Sequence, residues 1–236
     1  MSVKGSPARR LADLTWPELE TSASASVLVV PVGATEQHGP HLPFTVDTEI
    51  AEALAGRLAE ARGAAVQAPA VVFGSSGEHA GFPGTLSIGQ EAVELLLVEL
   101  GRSADAFAGV LLVSAHGGNA GPVARAVARL RTEGRRVRAW SPSGPPDDSH
   151  AGRTETSVLL ALRPAAVRLD RLATGECRPL RDLLPRLREA GVRAVSANGV
   201  LGDPRGATVE EGHLILARWT GELLAAFDAA LDKELP

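Results

Sequence analysis

Along this chain, short apolar runs of strand length alternate with longer stretches whose apolar residues recur at helical spacing. "SVLVVPV" (26–32) and "GVLLVSA" (109–115) are nearly continuous apolar runs, as expected of strands buried on both faces. "AAVQAPAVVF" (64–73) and "RRVRAWS" (135–141) also read as strands. Between them, "DTEIAEALAGRLAEARG" (47–63) places Ile50, Leu54 and Leu58 on one helical stripe and stops at Gly63. "QEAVELLLVELGRSADAF" (90–107) predicts a helix with a broad apolar face. "PVARAVARLRTEG" (122–134) predicts one opening at Pro122 and closing at Gly134.

Outside these repeats, "TWPELE" (15–20) predicts a brief helix with Thr15 as N-cap and Pro17 near its start. "TETSVLLALRP" (154–164) and the closing segment from "TVEEGHLILARW" (208 onward) are helical. "RDLLPRLREAG" (181–191) is a helix interrupted at Pro185, and "VRAVSANGVLGDPRGA" (192–207) an irregular strand and loop. The order strand, loop, helix recurs at least three times. That predicts an α/β fold, three layers α/β/α around a mainly parallel sheet. No linker divides the chain, so residues 1–10 are expected to form a flexible tail and 11–236 a single domain.

Composition narrows the function. The net charge is −4 with both signs interspersed, which is no footprint for nucleic acid. No apolar run approaches the ~20 residues of a membrane span. The start of the chain lacks a secretory h-region, and Cys177 is the only cysteine, so a cytoplasmic protein without disulfides or Cys-rich zinc modules is expected.

The chemistry gathers after the strands, where ligands bind in such sheets. "VGATEQHGPHLPFTVDTE" (32–49) carries Glu36, His38, His41, Asp47 and Glu49. Glu36 and His38 lie two apart, so an extended segment points both the same way. Carboxylate and imidazole together suit Zn²⁺, Mn²⁺ or Fe²⁺. Asp47 has an ordinary explanation as a helix N-cap, and His41 as a loop residue. "SAHGGNAGP" delivers His116 at a strand end, with glycines that admit a ligand and Asn119 as turn residue or orienter. "FGSSGEHAGFPGTLS" adds Glu78 and His79; "SHAGRTETS" adds His150 and Glu155, the latter also favoured by a helix dipole. Phosphate loops, H-E-x-x-H and G-x-S-x-G elbows are missing from the sequence, as is any tyrosine.

Taken together, "GATEQHGPHLPFTVDT", "SGEHAGFPGTLS", "AHGGN", "HAGRTETS" and "NGVLGDPRGAT" resemble the creatininase family of metal-dependent amidohydrolases, in order and spacing. The resemblance implies a creatininase-like fold and two divalent ions (Zn, Fe or Mn) per subunit. Glu36 and His116 match ligands of one ion and His38 of the other, while Asp47 matches the bridging carboxylate. Creatininase itself carries a Glu two positions after the histidine of this block, where this chain has Gly118, so Glu155 is the expected replacement. His150 matches a histidine that assists catalysis.

Within the family, "GEHAGFPGTLSIG", "GRTETS" and "ANGVLGDP" are most similar to a peptidase branch. Its members trim a C-terminal Val-Tyr dipeptide from a modified ribosomal precursor peptide; other branches open small cyclic amides or deformylate. Relatives assemble as homohexamers. Substrate contacts are expected from Glu78, His79 and Arg153, with Arg205 the rival of Arg153 for a terminal carboxylate.

Overall fold

The computed structural model describes residues 8–232. A short helix, α1 (Trp16–Glu20), precedes β1 (Val27–Val32), and Thr15 N–H donates to Glu18 across its first turn (2.6 Å). Then follow α2 (Val46–Ala61), β2 (Ala65–Gln67), α3 (Gln90–Ser103), β3 (Gly109–Ser114), α4 (Ala120–Thr132) and β4 (Val137–Trp140). Among the described residues, the elements after β4 are helical, with α5 (Arg153–Leu162), α6 (Leu180–Ala190), α7 (Val192–Val195) and α8 (Val209–Asp232).

The four strands form one parallel sheet in the order β2-β1-β3-β4. Both faces are covered, which explains why β1 and β3 read as continuous apolar runs. Val29, Leu111 and Val113 face a core built with Ile50, Leu54, Leu159 and Leu216 from α2, α5 and α8. Leu28, Val30, Val110 and Leu112 face Val93, Leu97, Ala126 and Leu130 from α3 and α4. A third, smaller cluster joins Leu183, Leu187, Val192 and Leu201. The three-layer α/β expectation therefore holds. No helix among the described residues is long and apolar enough to cross a membrane.

Three local expectations differ. The second strand is shorter than its apolar run, because Pro69 has no N–H to offer a ladder; only a Val32–Val71 bridge continues it. α6 runs through Pro185 unbroken, and the segment after it opens with the turn of α7 rather than a strand. Residues 1–7 of the expected tail lie outside the described residues. Residues 9 and 10 are held: Gln67 N–H donates to the Arg9 carbonyl, Arg10 bridges Gln67, and the Arg9 guanidinium reaches Ser22 and Ser26.

Because β1 leads left to β2 and the chain then returns right to β3, a crevice opens between the carboxyl ends of β1 and β3. Ligands bind at such a switch point.

Candidate metal centre

Every strand feeds that crevice. Glu36, His38 and His41 follow β1, and Asp47 stands in the first turn of α2. Ser75 to His79 follow β2, His116 follows β3, and His150 and Glu155 follow β4. Asn119 clamps three of these loops: its Nδ2 donates to the Gly33 carbonyl and its Oδ1 accepts the Ser75 N–H, both at 2.9 Å. Gly33 itself lets β1 end against α2, since a Cβ there would come within 2.5 Å of Thr48 Cα. That contact aims Asp47 inward. Thr45, not Asp47, occupies the N-cap position of α2, so the capping explanation for Asp47 falls away.

The acids and imidazoles interleave. Asp47 Oδ1 lies 3.5 Å from His38 Nε2, and its Oδ2 lies 3.6 Å from His116 Nδ1. Glu36 Oε2 is 3.3 Å from His116 Nε2, and Glu155 Oε2 is 3.8 Å from His38 Nε2. On the other side of Glu36, Oε1 is 3.5 Å from His79 Nε2 and 3.6 Å from His150 Nδ1. Three groups bring their ligating atoms within 4.8 Å of one another: Glu36, Asp47 and His116; His38, Asp47 and Glu155; and Glu36, His38 and His150. The first two share only Asp47.

Several of these atoms are buried without a partner. Glu36 and His38 are 0 % exposed and Asp47 2 %. Both Glu36 carboxylate oxygens, Asp47 Oδ2 and His38 Nε2 find no hydrogen bond among the described residues. Burying an unpaired carboxylate costs several kcal/mol or more, a cost that divalent cations held by these groups would offset. Outer contacts aim the rings as metal sites do. His38 Nδ1 donates to the Glu36 carbonyl (3.1 Å), leaving Nε2 toward Asp47 and Glu155. His116 Nε2 donates to the Ser75 carbonyl (2.9 Å), leaving Nδ1 toward Asp47. The donor set of carboxylates and imidazoles fits Zn²⁺, Mn²⁺ or Fe²⁺.

Proton affinities follow the neighbours. Burial disfavours the charged form of His38, but Asp47, Glu155 and Glu36 outweigh it and raise its pKa to about 9. His116 rises against burial to about 10 through Glu36 and Asp47. Burial likewise opposes the Glu36 carboxylate, yet His116, His79 and His150 hold it below the usual carboxylate range. Burial pushes Glu155 up to about 7 and raises Glu78 as well. His79 falls to about 4 through burial, and His150 falls well below an ordinary histidine for the same reason.

Above the cluster opens a cavity of about 960 Å³. Glu36, His116 and His150 form its floor, Glu78 and His79 one wall, and Leu184, Leu187 and Val192 of α6 and α7 its roof. Gly118 has no room for a side chain: a Cβ would meet Ser75 O at 2.3 Å, His116 Nε2 at 2.4 Å and Glu78 Oε1 at 2.7 Å. The space beside His116 is taken by Glu78. Glu155 stands across the cluster, its Oε2 also accepting the Ala151 N–H (2.6 Å). Ala151 adopts φ 52°, a left-handed conformation rare for alanine, which costs about 1 kcal/mol, between His150, which lines the cavity, and Glu155, which meets His38.

Two expected site residues do not join the others. Arg153 Nε donates to Glu211 (2.8 Å), and Arg205 is held two-fold by Asp203 (2.9 and 2.7 Å); neither lines the cavity. On a helix, residues two apart do not share a face, so nearness to Glu155 in sequence turned Arg153 away from it. His41 supports from behind, its Nε2 2.9 Å from Thr156 Oγ1. Sequence reasoning missed Gln37, whose amide touches His79 and His150. An amide between two candidate ligands carries no signal of its own.

A doubly covered parallel sheet with buried carboxylates and imidazoles at its switch point defines a metal-dependent hydrolase. The match of residues 12–227 to the family model for creatinine amidohydrolase goes further, and the chain belongs to the creatininase family. It is 54 % identical to a mycofactocin precursor peptide peptidase of Mycolicibacterium smegmatis, across 81 % of this chain and 80 % of that one. Creatinine amidohydrolase of Pseudomonas putida is 30 % identical, across 87 % of this chain and 91 % of its own. A crystal structure of creatinine amidohydrolase superposes with a TM-score of 0.78 at 29 % identity, covering 94 % of this chain and 97 % of that one.

Proposed function

We propose that this protein is a precursor-peptide peptidase that hydrolyses the amide bond before a C-terminal Val-Tyr dipeptide of a modified ribosomal peptide, as in mycofactocin biosynthesis. The observation that carries this reading is the cavity. At about 960 Å³ it lies at the upper end of ordinary ligand pockets, far larger than a cyclic amide such as creatinine needs. The similarity to mycofactocin precursor peptide peptidases supports the same substrate class.

In this reading Glu36, Asp47 and His116 would hold one divalent ion and His38, Asp47 and Glu155 a second. When bound, two such ions lower the pKa of water from 15.7 toward ~7 and polarise a carbonyl oxygen. The remaining work belongs to the chain. Glu36, His38 and Asp47 hold their ligating atoms in place from buried positions, 0 to 2 % exposed. His150, neutral in the cavity floor, takes a proton at Nδ1 as water attacks and returns it to the leaving amine. Glu78 and His79, on the wall, orient the peptide. We assign the enzyme to the cytoplasm as a homohexamer, in keeping with the family resemblance.

The test is incubation with a Val-Tyr-ended precursor peptide and with creatinine-like cyclic amides, read by mass spectrometry. Release of the dipeptide is expected. Opening of the cyclic amide alone would assign the chain to the small-amide branch instead. Metal analysis accompanies the assay: fewer than about one ion per chain after reconstitution would mark a binding protein that keeps the fold.

A further inference from the structure

Gln37 lies between two proposed ligands, Glu36 and His38, and is buried. Two backbone groups fix its carboxamide. Oε1 accepts the Gly39 N–H (2.8 Å), and Nε2 donates to the Gly199 carbonyl (3.0 Å). Nε2 also lies 2.9 Å from His79 Nδ1 and 3.0 Å from His150 Nε2. An amide nitrogen has two protons, and Gly199 takes one. The other must go to one ring or the other.

His150 settles which. Its Nε2 is 2.8 Å from the main-chain carbonyl of Gln37, an atom that can only accept. His150 Nε2 therefore carries a proton and cannot accept a second. The Gln37 proton is left for His79 Nδ1. We infer that Gln37 is a positioning residue whose carboxamide, with its own carbonyl, fixes which ring nitrogen carries the proton in His79 and in His150.

The consequence is a division of labour around one carboxylate. His79 keeps its lone pair toward Gln37 and turns an N–H at Nε2 toward Glu36 Oε1, 3.5 Å away. His150 keeps its N–H toward Gln37 O and turns a lone pair at Nδ1 toward the same oxygen, at 3.6 Å. One ring offers a donor and steadies Glu36. The other offers an acceptor, the form needed to receive a proton from water or to share a cation with Glu36 and His38. The catalytic part of this statement rests on the peptidase reading; the placement of the protons does not.

Neutron diffraction of the purified protein in D₂O, at neutral pH, reads the placement directly. Deuterium is expected on Nε2 of both rings and absent from His79 Nδ1. In Gln37→Met, which keeps the length and donates nothing, His79 should carry deuterium on both nitrogens at partial occupancy. In Gln37→Glu, where an acceptor replaces the donor, it should move to His79 Nδ1. Deuterium on His79 Nδ1 in the parent, or an unchanged placement in a folded variant, overturns the inference. If neither variant folds, the parent crystal alone decides. Cleavage kinetics separate the two readings: kcat of Gln37→Met should fall by about 10- to 100-fold with KM little changed. An unchanged kcat removes the catalytic consequence. A parent protein that shows the expected deuterium but leaves the Val-Tyr-ended peptide intact sinks the peptidase reading and leaves the proton placement standing.

Discussion

On the Asp47 flank of the site, His38 and His116 face carboxylates, and both hold protons more tightly than an ordinary histidine. On the Gln37 flank, His79 and His150 face an amide, and both are less basic than usual. Burial does not separate the pairs, since exposures run from 0 % for His38 to 8 % for His150. The neighbours do. Where carboxylates stand within 3.8 Å on two sides, the positive charge they demand outweighs desolvation. Where Glu36 is the only carboxylate at hand among the described residues, 3.5 Å from His79 and 3.6 Å from His150, desolvation and repulsion from His38 win and the rings stay neutral. In the proposed function, one flank holds cations and the other moves a proton.

The harshest way to break this contrast is to erase the charge both cation groups share. Asp47→Asn is expected to lower peptide cleavage by more than about 10³-fold and to reduce bound metal, read by elemental analysis. On the opposite flank, His150→Gln should lower kcat by about 10²- to 10⁴-fold, yet leave metal content near the parent value. Metal loss in both variants would erase the distinction between the flanks. Glu155→Gln should weaken one ion by about 10- to 100-fold in affinity while the other is retained, visible as biphasic metal titration.

pH sharpens the same comparison in metal-stripped protein. The folded-state pKa values of His38 and His116 lie near 9 and 10, above the ordinary 6.5. Their stabilisation is complete below pH 6.5 and is lost as pH rises through those values. His41 and His79 sit near 4, so the unfolded chain takes up their protons first as pH falls below 6.5. Tm should therefore peak near pH 6.5 and decline on both sides. With metal restored, His38 and His116 no longer need protons, and the alkaline decline should flatten. A Tm curve unchanged by chelation would sink the assignment of these two rings to the cation flank. The smallest effect belongs to Arg153→Ala: with its guanidinium on Glu211 and outside the cavity, cleavage should stay within about three-fold of the parent.

Much of this was legible in the sequence because its causes are local. Continuous apolar runs named β1 and β3, and periodicity named α2 and α8, since burial on two faces or one leaves a distinct pattern. The limits of β2 and the persistence of α6 through Pro185 were not, because neighbouring elements decided them. Glu36, His38, Asp47, His116 and Glu155 stood out as residues able to bind metal. Their meeting within a few ångströms is a property of strand order. Gln37 lay hidden for the opposite reason: its significance is a pattern of donors and acceptors that exists only after folding. Arg153 misled, because two residues on a helix point apart where two on a strand point together.

The roof of the cavity has its own small core, Leu183, Leu187, Val192 and Leu201, distinct from the two clusters that flank the sheet. The floor of the cavity and its cover are thus separately packed parts of one chain. A family built this way can diversify by replacing the covering segment while leaving the reactive floor intact. The same seam offers a graft point: exchanging only α6 and α7, residues 180–195, for the matching stretch of a relative keeps Gly199 on Gln37 and Leu201 on His150, and should transplant substrate choice onto the same base.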